Sequence, residues 1–135
     1  MQSSVSLITF SQFICNFAGS KGGAIESAIA NPLQIFATSL IKNYAQLKGG
    51  AIAVDGFVVL DSNLFKENTA YYGSGGAVSL ISSLEYDSIF TGCIFQENLS
   101  GLSGGAIYYF ILLKPIEPIS FSSTYCFFLS NAAHV

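Results

Sequence analysis

At 135 residues, half of them hydrophobic, a tenth charged and a formal charge of −3, the chain has room for one domain with a neutral, Ser/Thr/Asn/Gln-rich exterior. All five of its basic side chains are lysines, and without arginine's bidentate fork a nucleic-acid interface or a dedicated anionic-substrate clamp is not expected. The longest apolar run, residues 106–113, is about half the ~20 residues a spanning helix needs, so no membrane span is expected in this segment.

The first 17 residues lack a positive leader region and a small-residue cleavage site, and read as strand. After the apolar stretch Val5–Phe10 comes Phe13-x-x-Asn16-x-Ala18, then Gly22-Gly23-Ala24-Ile25. Asn31-Pro32 marks a turn. The second copy follows the strand-like Leu33–Thr38: Leu40-x-x-Asn43-x-Ala45, then Gly49-Gly50-Ala51-Ile52. Phe57–Leu60 precedes the third, Phe65-x-x-Asn68-x-Ala70 with Gly75-Gly76-Ala77-Val78. The fourth is Phe95-x-x-Asn98-x-Ser100 with Gly104-Gly105-Ala106-Ile107. Lys114-Pro115-Ile116-Glu117-Pro118 cannot join a ladder and reads as an excursion loop. Ile119–Phe121 then leads into the start of a fifth copy, Phe128-x-x-Asn131-x-Ala133.

The Gly-Gly pairs recur every 26 to 29 residues, a period that belongs to stacked repeats. The segments between them are short, β-branched and aromatic, with no sustained helical period. Each repeat therefore reads as two or three strands of about four residues, forming one coil of a parallel β-helix. Parallel crossovers are overwhelmingly right-handed. The expected fold is all-β: a right-handed, single-stranded parallel β-helix, a pectate-lyase-like solenoid of four to five coils. Residues 1–135 are expected to be a partial β-helix repeat domain from a longer array.

Parity assigns the faces, since residues two apart in a strand share one. Ile25/Ser27, Ile52/Val54, Val78/Leu80 and Ile107/Tyr109 should point inward, leaving Glu26, Ala53, Ser79 and Tyr108 to solvent. Phe13, Leu40, Phe65, Phe95 and Phe128 should form one internal stack, with Ser11, Thr38, Asn63, Cys93 and Cys126 on the same parity. Asn16, Asn43, Asn68, Asn98 and Asn131 should stack as an amide ladder, in a turn whose left-handed backbone asparagine tolerates. The glycine pairs serve coil corners; no phosphate-loop or calcium-repeat pattern follows them.

Chemistry is sparse. Cys93 and Cys126 share a slot in adjacent coils, within disulfide range, and both a disulfide and a reduced, stacked pair are open. With one histidine, His134, and no Cys-x-x-Cys, neither metal nor cofactor is expected. Glu67 and Glu97 share a slot beside Lys42 and read as a solvated column, not as a catalytic pair. No catalytic residue stands out. The sequon at Asn98 falls in the amide column and is expected to be unmodified.

The alternation of Phe-x-x-Asn (Phe13/Asn16 onward) with Gly-Gly-Ala-(Ile/Val) (Gly22/Gly23 onward) resembles the repeats of the chlamydial polymorphic outer membrane proteins. Similar repeats occur in large surface proteins of some protists. Leu40 in place of Phe is one departure. The resemblance implies a surface-exposed β-helical passenger, exported in bacterial members by a C-terminal barrel, with adhesion to host or neighbouring cells as the family activity. The expected function is thus a non-catalytic, extracellular adhesin-like or structural segment whose partner is a cell-surface receptor or glycan. A carbohydrate-binding or carbohydrate-cleaving β-helix is the alternative.

Overall fold

The computed structural model describes residues 5–28, 32–82, 87–111 and 120–134. They form a parallel β-solenoid with four walls. The first sheet stacks Ser6–Thr9, Leu33–Phe36, Val58–Asp61, Ser88–Thr91 and Phe121–Thr124. The second stacks Gln12–Ile14, Ser39–Ile41, Leu64–Lys66, Ile94–Gln96 and Phe127–Leu129. The third is built from the pairs Phe17–Ala18, Tyr44–Ala45, Thr69–Ala70, Leu99–Ser100 and Ala132–Ala133. The fourth holds Ile25–Ser27, Ile52–Asp55, Val78–Ser82 and Ile107–Ile111.

A coil therefore has four strands, not two or three. The extra breaks come from left-handed corners that carry no glycine signal. Between the first and second sheets stand Phe10, Ala37, Ser62, Gly92 and Tyr125, with φ from 48° to 61°. Between the second and third stand Cys15, Lys42, Glu67, Glu97 and Ser130, with φ from 54° to 56°. The left-handed residue is thus the one before each motif asparagine, which corrects the expectation that asparagine itself takes that backbone. Nine of the ten corner residues bear a Cβ, which costs roughly 1–2 kcal/mol each, offset by the stacking of the coils on either side.

Register is strict. Phe13, Leu40, Phe65, Phe95 and Phe128 are direct ladder partners, as are Ile25, Ile52, Val78 and Ile107. Coil length varies mainly at one corner, between the fourth sheet and the next first sheet (residues 28–32, 56–57, 83–87 and 112–120). The proline-bearing loop at 114–118 and part of the Asn31-Pro32 turn lie outside the described residues.

The core is filled from all four walls: Ile35, Leu60 and Phe90 from the first, Leu40, Phe65 and Phe95 from the second, Ala45 and Ala70 from the third, Ile52, Val54, Val78 and Leu80 from the fourth. Phe65 and Phe95 stack face to face at 4.8 Å, and Phe95 and Phe128 at 5.0 Å. Each fully buried large side chain contributes roughly 1.5–3 kcal/mol. Alanine in the third wall has a geometric cause, because the glycine pair folds back onto that wall. Gly49 supplies a φ of 64°, and a Cβ on Gly50 would collide with the Gly76 carbonyl and the Thr69 backbone. One parity assignment fails in part: Ala53 and Ser79 are buried although they occupy the outward slot. They are short side chains lying between the longer Glu26 and Tyr108 in the same ladder.

Candidate functional site

The asparagine column is a continuous amide chain. The backbone N–H and Nδ2 of Asn16 both donate to Asn43 Oδ1, at 3.0 and 2.9 Å. Asn43 does the same to Asn68, Asn68 to Asn98, and Asn98 to Asn131. The second Nδ2 hydrogen reaches back one coil, from Asn43 to the Phe13 carbonyl, Asn68 to Leu40, Asn98 to Phe65 and Asn131 to Phe95. Asn68 and Asn98 are buried with both amide hydrogens and the oxygen engaged, so this column acts on the fold and not on a ligand. Asn98, the sequon residue, has no free Nδ2 hydrogen.

The cysteines are free thiols. Cys93 and Cys126 each donate to a carbonyl two residues earlier, Thr91 and Thr124, at 3.5 Å, which satisfies the sulfurs without a bond between them. Burial pushes the Cys93 thiol up to about 11, partly opposed by the Asn63 N–H and amide directed at its sulfur. Glu67 lies 3.7 Å from Lys42 and 3.6 Å from Lys66, and Glu97 accepts from Gln96 at 2.7 Å. These carboxylates are thus engaged at the corner where the sequence placed them. Among the described residues no group of three or more His, Cys, Asp and Glu could hold a metal, and no helix is long and apolar enough to cross a membrane.

What the sequence reading missed is an aromatic strip on the outer side of the third wall. That wall's inner residues are small, but its outer ones are not. Phe17 stacks on Tyr44 at 5.3 Å with planes 10° apart, Tyr44 meets Tyr71 at 6.0 Å, and Tyr71 meets Tyr72 edge-on at 4.5 Å. Phe17, Tyr71 and Tyr72 are 65%, 54% and 64% exposed, and Leu47 and Leu102 beside them are also exposed. Tyr71 and Tyr72 arise where the third copy has one residue more between its asparagine and its glycines. Next to them Thr69, Ala70, Leu99, Gly101 and His134 complete an open cavity of about 350 Å³. Partial desolvation raises the Tyr44 phenol above its ordinary value, and Tyr71 and then Tyr72 raise it further, so it is a protonated donor at neutral pH. A larger open cavity, about 520 Å³, lies between the last glycine pair and the fifth copy, lined among others by Gly104, Ile107, Tyr109, Phe121 and Phe128.

Residues 92–109 match the Chlamydia polymorphic membrane protein repeat. They run from the Gly92 corner through Phe95, Asn98 and Gly104-Gly105 to Tyr109, one whole copy of the paired motif. Residues 92–109 are thus similar to one such repeat. No curated protein and no solved structure gives a significant match to the chain. The matched polymorphic membrane protein copy stacks in register on its neighbours, and the match supports a surface-associated repeat protein.

Proposed function

We propose that the chain is a non-catalytic, adhesin-like segment displayed at a cell surface, with the solenoid as a rigid rod and the third wall as its contact face. The observation that carries this reading is the outward strip Phe17–Tyr44–Tyr71–Tyr72, with Phe17, Tyr71 and Tyr72 exposed, on a wall whose strands pair in register. Exposed aromatic groups of this kind mark interaction surfaces. The repeat's membership in a family of surface proteins points the same way. The test is binding of the labelled chain to cultured epithelial cells, compared with Y71A/Y72A. Saturable binding that the double variant loses supports the proposal. Absence of saturable binding overturns it, as does release of reducing ends from polysaccharide that E67Q or E97Q abolishes.

A further inference from the structure

The corner between the first and second walls ends in two stacked thiols. Cys93 and Cys126 stand in adjacent coils, each directly before a ladder-paired residue, Ile94 with Phe127. The Phe127 N–H donates to the Cys93 carbonyl at 2.9 Å. That register sets their Cα atoms one rung apart, about 4.8 Å, inside the roughly 4.4–6.8 Å that disulfides span. The left-handed residues before them, Gly92 and Tyr125, have φ of 61° and 54°, so both Cα–Cβ bonds leave the chain in the same direction. Cys93 is buried in the core, and Cys126 is half-buried against it. The earlier rungs of this column hold Ser11, Thr38 and Asn63, so only the last two can bond covalently.

What holds the two sulfurs in their present places is weak. Each S–H donates to the carbonyl two residues back at 3.5 Å, and Asn63 Nδ2 meets the Cys93 sulfur at 3.9 Å. A thiol is a poor donor and a poor acceptor, and turning Cys126 about χ1 breaks only its bond to Thr124. The coil that a bridge would tie down is thinly covered. No residue of Phe121–Thr124, Phe127–Leu129 or Ala132–Ala133 is buried. Yet this fifth copy completes the coil before it: Asn131 Oδ1 takes both donors of Asn98, and Phe128 stacks on Phe95.

We infer that Cys93 and Cys126 form a covalent clamp: exposed to a small-molecule disulfide, they close to an inter-coil disulfide that fixes the fifth copy to the fourth. Cys126, the more accessible sulfur, attacks the oxidant as its thiolate, forming a mixed disulfide and expelling a thiolate that takes up a proton. Cys93 then gives its proton to solvent and attacks the Cys126 sulfur, expelling the second thiol. Two protein thiols are oxidised, and one disulfide is reduced to two thiols. Burial first, then Cys126 and Asp61, hold the proton on Cys93 against the Asn63 donors, so the second step is the slower one and quickens as pH rises toward 11. The clamp stands whether or not the chain is an adhesin.

The test places the whole chain in oxidised glutathione at mildly alkaline pH, as C15S to remove the exposed thiol. The variants borrow residues that the same columns already hold, since Ser130 shares the Cys15 column and Ser11 that of Cys93 and Cys126. The expected product is a monomer lighter by two hydrogens, in which peptide mapping without reduction joins Cys93 to Cys126. C15S/C93S should stop at a glutathione adduct on Cys126. The bridged chain should unfold about 1 M higher in urea than the reduced one and lose that difference on reduction. Exchange of the Phe127 and Ala132 amide hydrogens, which bond the Cys93 and Asn98 carbonyls, should slow by roughly threefold or more. The inference fails if C15S keeps both thiols or carries only glutathione adducts, or if bridges form only between chains. It fails also if the bridged chain is no more stable than the reduced one, which would mean that the bond strains the corner more than it fixes the coil.

Discussion

Two corners of each coil share a backbone and differ in chemistry. Both are two residues long, both begin with a left-handed residue, and both follow it with a side chain pointing inward. At the corner between the second and third walls that side chain is asparagine in every coil. At the corner between the first and second it is Ser11, Thr38, Asn63, Cys93 and Cys126. Here too each coil's N–H seeks the next coil's side chain: Ser11 N–H donates to Thr38 Oγ1 at 3.3 Å, and Thr38 N–H to Asn63 Oδ1 at 2.9 Å. The hydroxyls and thiols then spend their own hydrogen locally, as Ser11 does on the Thr9 carbonyl and Thr38 on that of Phe36. Asn63 alone reaches across, to the Ile35 carbonyl at 2.8 Å. A hydroxyl closes its bonds mostly within one coil; an amide ties three coils together. The backbone turn needs only an inward acceptor, while rigidity along the axis needs asparagine.

The largest test of that difference is N68A against T38A. Removing the Asn68 amide strands the Asn43 N–H and one of its two Nδ2 hydrogens, in a buried residue, and should cost about 3–5 kcal/mol. T38A strands only the half-buried Ser11 N–H and should cost about 1 kcal/mol. Urea unfolding of the two variants reads the gap directly, and equal losses would mean that the corners are energetically the same.

A second test uses the sulfur end of the weaker corner. The Cys93 thiol is raised from 9.0 to about 11, so the folded state holds its proton longer than the unfolded chain does. Its contribution is fully present below about pH 9 and is lost as pH rises toward 11. Compared with C93S, the parent should lose roughly 3 kcal/mol more between those limits. Chemical denaturation across that range measures it. In the folded state the exposed Cys15 should be alkylated well before Cys93.

The same two corners explain what could be read from the letters. The asparagine column was visible because one residue repeats without exception, and so was the inward stack of Phe65 and Phe95. The second ladder was not, because Ser, Thr, Asn and Cys share a capacity to accept and no spelling. The four-strand coil was hidden by Phe10, Ala37, Lys42 and Glu67, which adopt a glycine-like backbone under the constraint of neighbouring coils and carry no local sign of it. The aromatic strip was scattered by the same logic. Phe17 and Tyr44 share a column with Thr69, Leu99 and Ala132, so the rings continue through Tyr71 and Tyr72, one position off the repeat. A column scan of outward residues, rather than of motif letters, would have found the first two rings and stopped.

The smallest effect expected is a gain. Cys93 is the point where the first corner stops behaving like the second: Asn63 Nδ2 reaches the Ile35 carbonyl behind it, but toward the next coil it meets a sulfur at 3.9 Å in place of an amide oxygen. In C93N the new Oδ1 would take both the Asn63 N–H and Nδ2, as Asn68 Oδ1 takes those of Asn43. The new Nδ2 would reach the Leu60 carbonyl, the counterpart of the Ile35 carbonyl that Asn63 already uses. Exchanging a weak sulfur contact for amide bonds should add about 1 kcal/mol, provided the slightly larger side chain fits under Cys126. It should also flatten the alkaline loss of stability, since no thiol remains there to ionise. A variant that is less stable than the parent, with the alkaline loss gone, would show that volume and not hydrogen bonding sets the residue at this corner.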